Sequence, residues 1–167
     1  MTRLVLVLVL LVAAPASAQD REIEAGGGWY FVNPLGVHDF GDGSFPSASI
    51  AWTNWYTEHS GWAVGAVGLP SLPGSGFFGH VTWRHRWFYS DGDDDDFTHL
   101  GVGAGPTLWV IHDRAERQIN TSFLWHVEVL TTHRIRDDLL LRAGFTFTPV
   151  LYIPVLVQPA VMLVWSR

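Results

Sequence analysis

The chain has 167 residues with no cysteine and no lysine; all ten basic residues are arginines, set against sixteen acids for a net charge of −6. That balance excludes disulfide staples and thiol redox chemistry, and it offers no basic face for nucleic acid. Nine tryptophans and ten phenylalanines beside seventeen glycines ask for an apolar environment larger than the core of so short a chain.

The chain opens MTRLVLVLVLLVAAPASAQD, with Arg3 as a positive start, an apolar run from Leu4 to Ala14 and a small-residue site at Ala16-Ser17-Ala18. This is the pattern of a secretory signal peptide. The run falls short of the roughly 20 residues that a helix needs to cross a bilayer. Removal of residues 1–18 is expected, leaving one domain from 19 to 167 in which nine arginines face sixteen acids.

Beyond residue 20 the apolar residues recur at period two, interrupted by turn signals, which predicts strands. Eight are expected, at about 22–33, 47–57, 61–69, 77–89, 98–112, 122–133, 139–149 and 155–166. In the first, Glu22 and Glu24 share a face. In the fourth, Val81, Trp83, Trp87 and Tyr89 oppose His80, Thr82, Arg84 and Arg86. In the fifth, Leu100, Val102, Ala104, Pro106, Leu108 and Val110 oppose Gly101, Gly103, Gly105, Thr107 and Trp109. The sixth sets Phe123, Trp125, Val127 and Val129 against Leu124, His126, Glu128, Leu130 and Thr132, and the seventh sets Leu139, Leu141, Ala143, Phe145 and Phe147 against Arg142, Gly144, Thr146 and Thr148.

The connections at 58–60 and 134–138 are short, and those at 34–46 and 113–121 are longer. The face opposite the apolar one carries charge on some strands and Gly, Ala and Thr on others. The small residues fit the inside of a narrow eight-stranded barrel and would make a poor solvent surface. Closure also pairs every backbone amide without water, the one way a sheet survives in lipid. The expected fold is an all-β, eight-stranded antiparallel up-and-down transmembrane β-barrel, with Trp29, Trp52, Trp62, Trp83, Trp87, Trp125 and Trp165 facing outward, several near strand ends.

Through EAGGGWYFV in the first strand, LGVGAGPTLWV in the fifth and VLVQPAVMLVW in the last, residues 19–167 resemble the small eight-stranded outer-membrane barrels of the OmpA and OmpX type. The resemblance implies a monomer in the outer membrane of a Gram-negative bacterium, surrounded by outer-membrane lipid and lipopolysaccharide and inserted by the barrel assembly machinery. It implies no cofactor, and a structural or interaction role through external loops 34–46, 70–76 and 113–121. Members usually end in an aromatic residue; here Trp165 is followed by Ser166 and Arg167.

The inward face gathers Glu24, His80, Arg84, Arg86, His126, Glu128 and Arg142. Buried charges are tolerable only when paired, so Glu24 and Glu128 are the expected acceptors for the arginines, in a polar network that plugs the lumen. A gated pore or binding pocket is the functional counterpart. The aspartates Asp91, Asp93, Asp94, Asp95 and Asp96 between strands four and five are weak candidates for a divalent cation; they lack the spacing and distant glutamate of a calcium loop and fit a hydrated turn.

No catalytic residues are expected. Glu58, His59 and Ser60 supply the residue types of a serine hydrolase, yet neighbours on a strand face opposite sides. A lipid A-modifying acyl hydrolase and a soluble lipocalin-like periplasmic binder are the competing readings.

Overall fold

Glycine-rich strands with β-branched and aromatic residues at every second position can bury one face and expose the other only as a sheet. With a narrow, crowded inner face, that sheet closes. The computed structural model describes residues 20–32, 43–70, 74–88, 96–112, 117–150 and 153–167. None of these is helical. They form β1 (Asp20–Val32), β2 (Gly43–Trp55), β3 (Ser60–Pro70), β4 (Gly74–Phe88), β5 (Phe97–His112), β6 (Arg117–Arg136), β7 (Leu139–Val150) and β8 (Ile153–Ser166). Each strand pairs antiparallel with the next, and β8 returns to β1 to close an eight-stranded barrel. The expected all-β up-and-down barrel is the observed fold.

Closure is completed at the chain's two described ends, where the Arg21 and Arg167 amides exchange hydrogen bonds of 3.0 and 2.9 Å with each other's carbonyls. This end also carries the β2–β3, β4–β5 and β6–β7 connections and is called the short-turn end below.

Side chains alternate as the period-two pattern requires. Outside stand Ile50, Phe77, Trp87, Val102, Phe123, Trp125, Phe145 and Val161, with Phe123 72% exposed. Inside and buried are Glu22, Glu24, Arg84, Arg86, His99, His126, Glu128 and Arg142. The molecule is therefore polar in its centre and apolar on its wall, the reverse of a barrel built for water.

Two prolines mark where the ladder is thinned. The β4–β5 pairing runs to Phe78 opposite Thr107 and resumes at Val81 opposite Ala104, skipping Pro106, while β6 pairs with Pro106 on its other side. Likewise β1 and β8 pair at Gly28–Ala160 and again at Phe31–Val157, with Pro159 between. Proline brings no amide hydrogen, so a ladder bond is lost on one side. At these seams the backbones come close: a Cβ on Gly105 would lie 1.8 Å from the Gly79 carbonyl oxygen, and one on Gly28 would lie 2.0 Å from that of Pro159.

Loop boundaries differ from expectation at both ends of the barrel: at the short-turn end Ser60 opens β3 and residues 134–136 continue β6, and three more differ at the opposite end. The Gly43–Pro46 segment, read as loop, continues β2, with Gly43 opposite Val32 and Pro46 opposite Trp29. Residues 117–121 continue β6, with Arg117 opposite His112. Pro70 and residues 74–76 belong to β3 and β4. In each case the backbone ladder runs past the point where side-chain alternation fades, because pairing needs only amides and carbonyls. The loops are correspondingly shorter than 34–46, 70–76 and 113–121, and the connection after β5 is not a long one.

Candidate functional site

The Glu-Ile-Glu of β1 points two carboxylates inward past one outward isoleucine. Arg84 from β4 reaches across the lumen between Glu24 and Glu128. Its Nε donates to Glu128 Oε1 at 2.5 Å, and its Nη1 donates to Glu24 Oε1 and, at 2.6 Å, to Thr53 Oγ1. Arg142 from β7 forms a second bridge, with Nη2 2.8 Å from Glu22 Oε2, Nη1 2.8 Å from Glu24 Oε1 and Nε donating to Thr132 Oγ1 at 2.8 Å. Glu24 thus sits between two guanidiniums. Mutual pairing of this kind is what lets charged groups stay out of water.

Arg86 lies nearer the short-turn end. It pairs with Asp20 at 3.0 Å, donates to the Glu58 carbonyl oxygen, and lies over the ring of Trp55 at 4.4 Å and that of Phe97 at 5.3 Å. The flat guanidinium is suited to such stacking. His99, wholly buried, places Nε2 3.4 Å from Glu128 Oε1. His80 and His126 meet through one hydroxyl, each with a ring nitrogen 2.9 Å from Thr82 Oγ1.

Room for these long side chains comes from glycines opposite them. Gly101 stands across from both Arg84 and Glu128, and a Cβ there would fall 2.4 Å from Glu128 Oε1. Gly103 faces His126, and Gly65 faces His80, with the same crowding. Gly101 and Gly103 of β5 are therefore the complement of the polar residues on β4 and β6, while Gly105 faces the Gly79 backbone and Leu124.

Toward the end opposite the short turns the lumen changes character. Tyr30, Val67, Leu69 and Phe78 form a buried apolar cluster with Leu124 packed against it. Phe78 stacks on His80 and meets His126 edge-on, both at 5.5 Å.

The structure places the seven lumenal residues expected from the sequence as follows: Glu24, Arg84, Glu128 and Arg142 in one connected network, His80 and His126 beside it, and Arg86 one layer away, where its acceptors are Asp20 and the Glu58 carbonyl and not the expected Glu24 and Glu128. The alternation places Glu22, Thr82 and Thr132 on the same inward face, whereas Thr53, Trp55 and His99 lay outside that reading. Parity was the available signal, since Trp55 shares the face of Ala51 and Thr53, and His99 shares that of Gly101.

Of the aspartates, Asp91, Asp93, Asp94 and Asp95 lie outside the described residues. Asp96 has its carboxylate on His133 Nδ1, at 2.7 and 2.8 Å, with the Arg134 amide donating at 3.3 Å. The His133 hydrogen bond, helped by that amide, holds the Asp96 carboxyl below its ordinary value. Among the described residues no three His, Cys, Asp or Glu side chains converge as metal ligands do. On the outer wall near the short turns, Ser60 Oγ lies 3.2 Å from His85 Nδ1, and the rings of His59, Trp83 and Trp87 surround that imidazole. The Glu58 group in contact with Arg86 is its backbone carbonyl.

This closed barrel, with its charges inside, superposes on known structures. Neisserial surface protein A matches with a TM-score of 0.65 and 12% identity, over 88% of this chain and 95% of that one. The N-terminal β-barrel domain of OprF from Pseudomonas aeruginosa matches at 0.63 and 11%, over 91% and 100%. Ail, the attachment invasion locus protein of Yersinia pestis, matches at 0.61 and 10%, over 89% and 98%. The fold is that of the small outer-membrane β-barrels. The sequence itself matches no family profile and no curated protein.

Proposed function

We propose that this protein is an integral outer-membrane β-barrel of a Gram-negative bacterium, exported by residues 1–18, whose lumen is plugged by ion pairs and whose role is structural or exercised through the loops at the end opposite the short turns. The observation that carries this reading is the inversion of the barrel, with Glu24, Arg84, Glu128 and Arg142 buried while Ile50, Phe123 and Val161 are more than half exposed. In water that exposed band would be an association hazard; in lipid it is the solvated surface. The surrounding partners are then outer-membrane lipid and lipopolysaccharide, with the barrel assembly machinery needed for insertion of a monomer. Support for the plug comes from the crossed pairs of Arg84 and Arg142 and from the apolar layer of Tyr30, Leu69 and Phe78 beyond them. No step of this role calls for a cofactor or for catalysis.

The test is migration of the detergent-extracted mature protein on a denaturing gel with and without boiling. A heat-dependent shift supports the closed membrane barrel. Identical migration together with extraction in plain buffer would replace it with a soluble periplasmic binder.

A second reading, hydrolysis of lipid esters at the outer wall, is favoured by the Ser60–His85 pair alone. A serine hydrolase would also want a carboxylate on the far nitrogen of the histidine, and the ring neighbours of His85 are His59, Trp83 and Trp87. Labelling by a fluorophosphonate probe that disappears in Ser60→Ala would establish that reading, and absence of labelling would remove it.

A further inference from the structure

We propose that the lumen holds a built internal water site beside Glu24. The polar neighbours of that carboxylate crowd onto one oxygen: Thr53 Oγ1 donates to Oε1 at 2.5 Å, Arg84 Nη1 donates to it, and Arg142 Nη1 lies 2.8 Å away as an ion-pair neighbour without hydrogen-bond geometry. The other oxygen, Oε2, is buried and has no partner in the protein, although Glu24 as a residue is wholly enclosed. Ser49 Oγ is also buried and unpartnered. Both residues line one lumenal cavity of about 40 Å³, together with Arg84, His80, Gln158 and Ala160.

A buried polar atom without a partner is rare in a folded protein, and an unpartnered carboxylate oxygen is among the costliest kinds. Internal water supplies the missing partner where a space is polar and large enough, and the space here admits about two or three molecules. A drug-sized organic ligand needs a site roughly ten times larger. A cation would meet Glu24 and Glu128 on the cavity wall, but Arg84 bridges both carboxylates and Arg142 lies beside Glu24, so their charge is already matched and a further cation gains little. Water both donates to Glu24 Oε2 and accepts from Ser49, which no protein group in the layer does.

The lumen is therefore a wet plug. Its ion pairs set the charge balance, and its water completes the solvation of the carboxylate they share. This inference does not depend on the membrane reading, since the cavity and its two orphan oxygens belong to the barrel interior in either setting.

The experiment is nuclear Overhauser contact between water and the methyl groups of Ala51, Ala160 and Met162, which line the cavity, in the folded protein in detergent micelles. Contacts from long-lived water at these methyls are expected. Their absence in a barrel that keeps its heat-modifiable migration would overturn the proposal. In Ser49→Val, which fills part of the space and removes one polar wall group, the contacts should fall at least twofold; unchanged intensity would place the water elsewhere and overturn the site. Should Ser49→Val fail to fold, the wild-type measurement alone decides.

Discussion

At the scale of single residues, the consequential feature is that Arg84 serves two carboxylates at once. Replacing it with methionine keeps much of the bulk and leaves Glu24 and Glu128 short of their shared cation, although Arg142 remains beside Glu24. Breaking a buried pair from one side costs about 3–5 kcal/mol. Arg84→Met is expected to lower stability in detergent by that order, read from urea unfolding followed by tryptophan fluorescence. An unchanged midpoint would mean that the layer is hydrated well enough to carry the charges without Arg84. At the rim the sign is different in kind. Asp96 is held below its ordinary value by His133, so its contact contributes above the usual carboxylate range and is lost as pH falls through the lowered value. His133→Ala should move the Asp96 carboxyl carbon titration upward toward the ordinary value. Because both side chains are largely exposed, little change in overall stability is expected.

At the scale of strands, glycine and proline carry positional meaning that composition alone hides. Gly105 meets the Gly79 carbonyl oxygen at a distance no Cβ can occupy, whereas a Cβ on Gly68 finds its nearest atom, the Ala48 carbonyl oxygen, at 4.0 Å. Gly105→Ala should therefore block closure, seen as loss of heat-modifiable migration, while Gly68→Ala should change stability by no more than about 0.5 kcal/mol. Equal behaviour of the two would show that the β4–β5 seam relaxes freely. The same seams explain what was legible in the sequence. Period two placed Glu24, Arg84, Glu128 and Arg142 on the inner face because a strand has only two faces and one of them was apolar. It also implied Trp55 and His99, whose parity is unambiguous but whose ring chemistry suits either face. The ends of β2 and β6 were not legible. Gly43, Ser44 and Pro46 have turn chemistry, and the ladder that orders them depends on the partner strand β1, which no local pattern reports. Glu24 was legible as an acceptor for the arginines, whereas the second contact of Arg142, with Glu22, depends on lumen width and was not.

At the scale of the whole molecule, the outward apolar face and the inward charges make one physical claim: that the wall is solvated by lipid. A depth-dependent substitution pair tests it more sharply than any single variant. Val102 lies near the middle of β5 and faces outward at 47% exposure, whereas Ile135 faces outward at 50% beside the short β6–β7 turn. By exposure alone the two are equivalent. In a bilayer they are not, because an arginine at the midplane of a barrel's lipid face costs about 2–4 kcal/mol and one near the interface about 0–1. Val102→Arg should therefore weaken folding into phospholipid vesicles by that larger amount while Ile135→Arg leaves it nearly unchanged. On a barrel that folds in water, an exposed arginine costs little wherever it stands, and the two variants would coincide. The lumen predicts the companion result, since neither side chain points toward Arg84 or Glu24: both variants should keep the same heat-modifiable migration once folded. A depth effect with an intact barrel would place the charged layer inside a lipid-solvated wall.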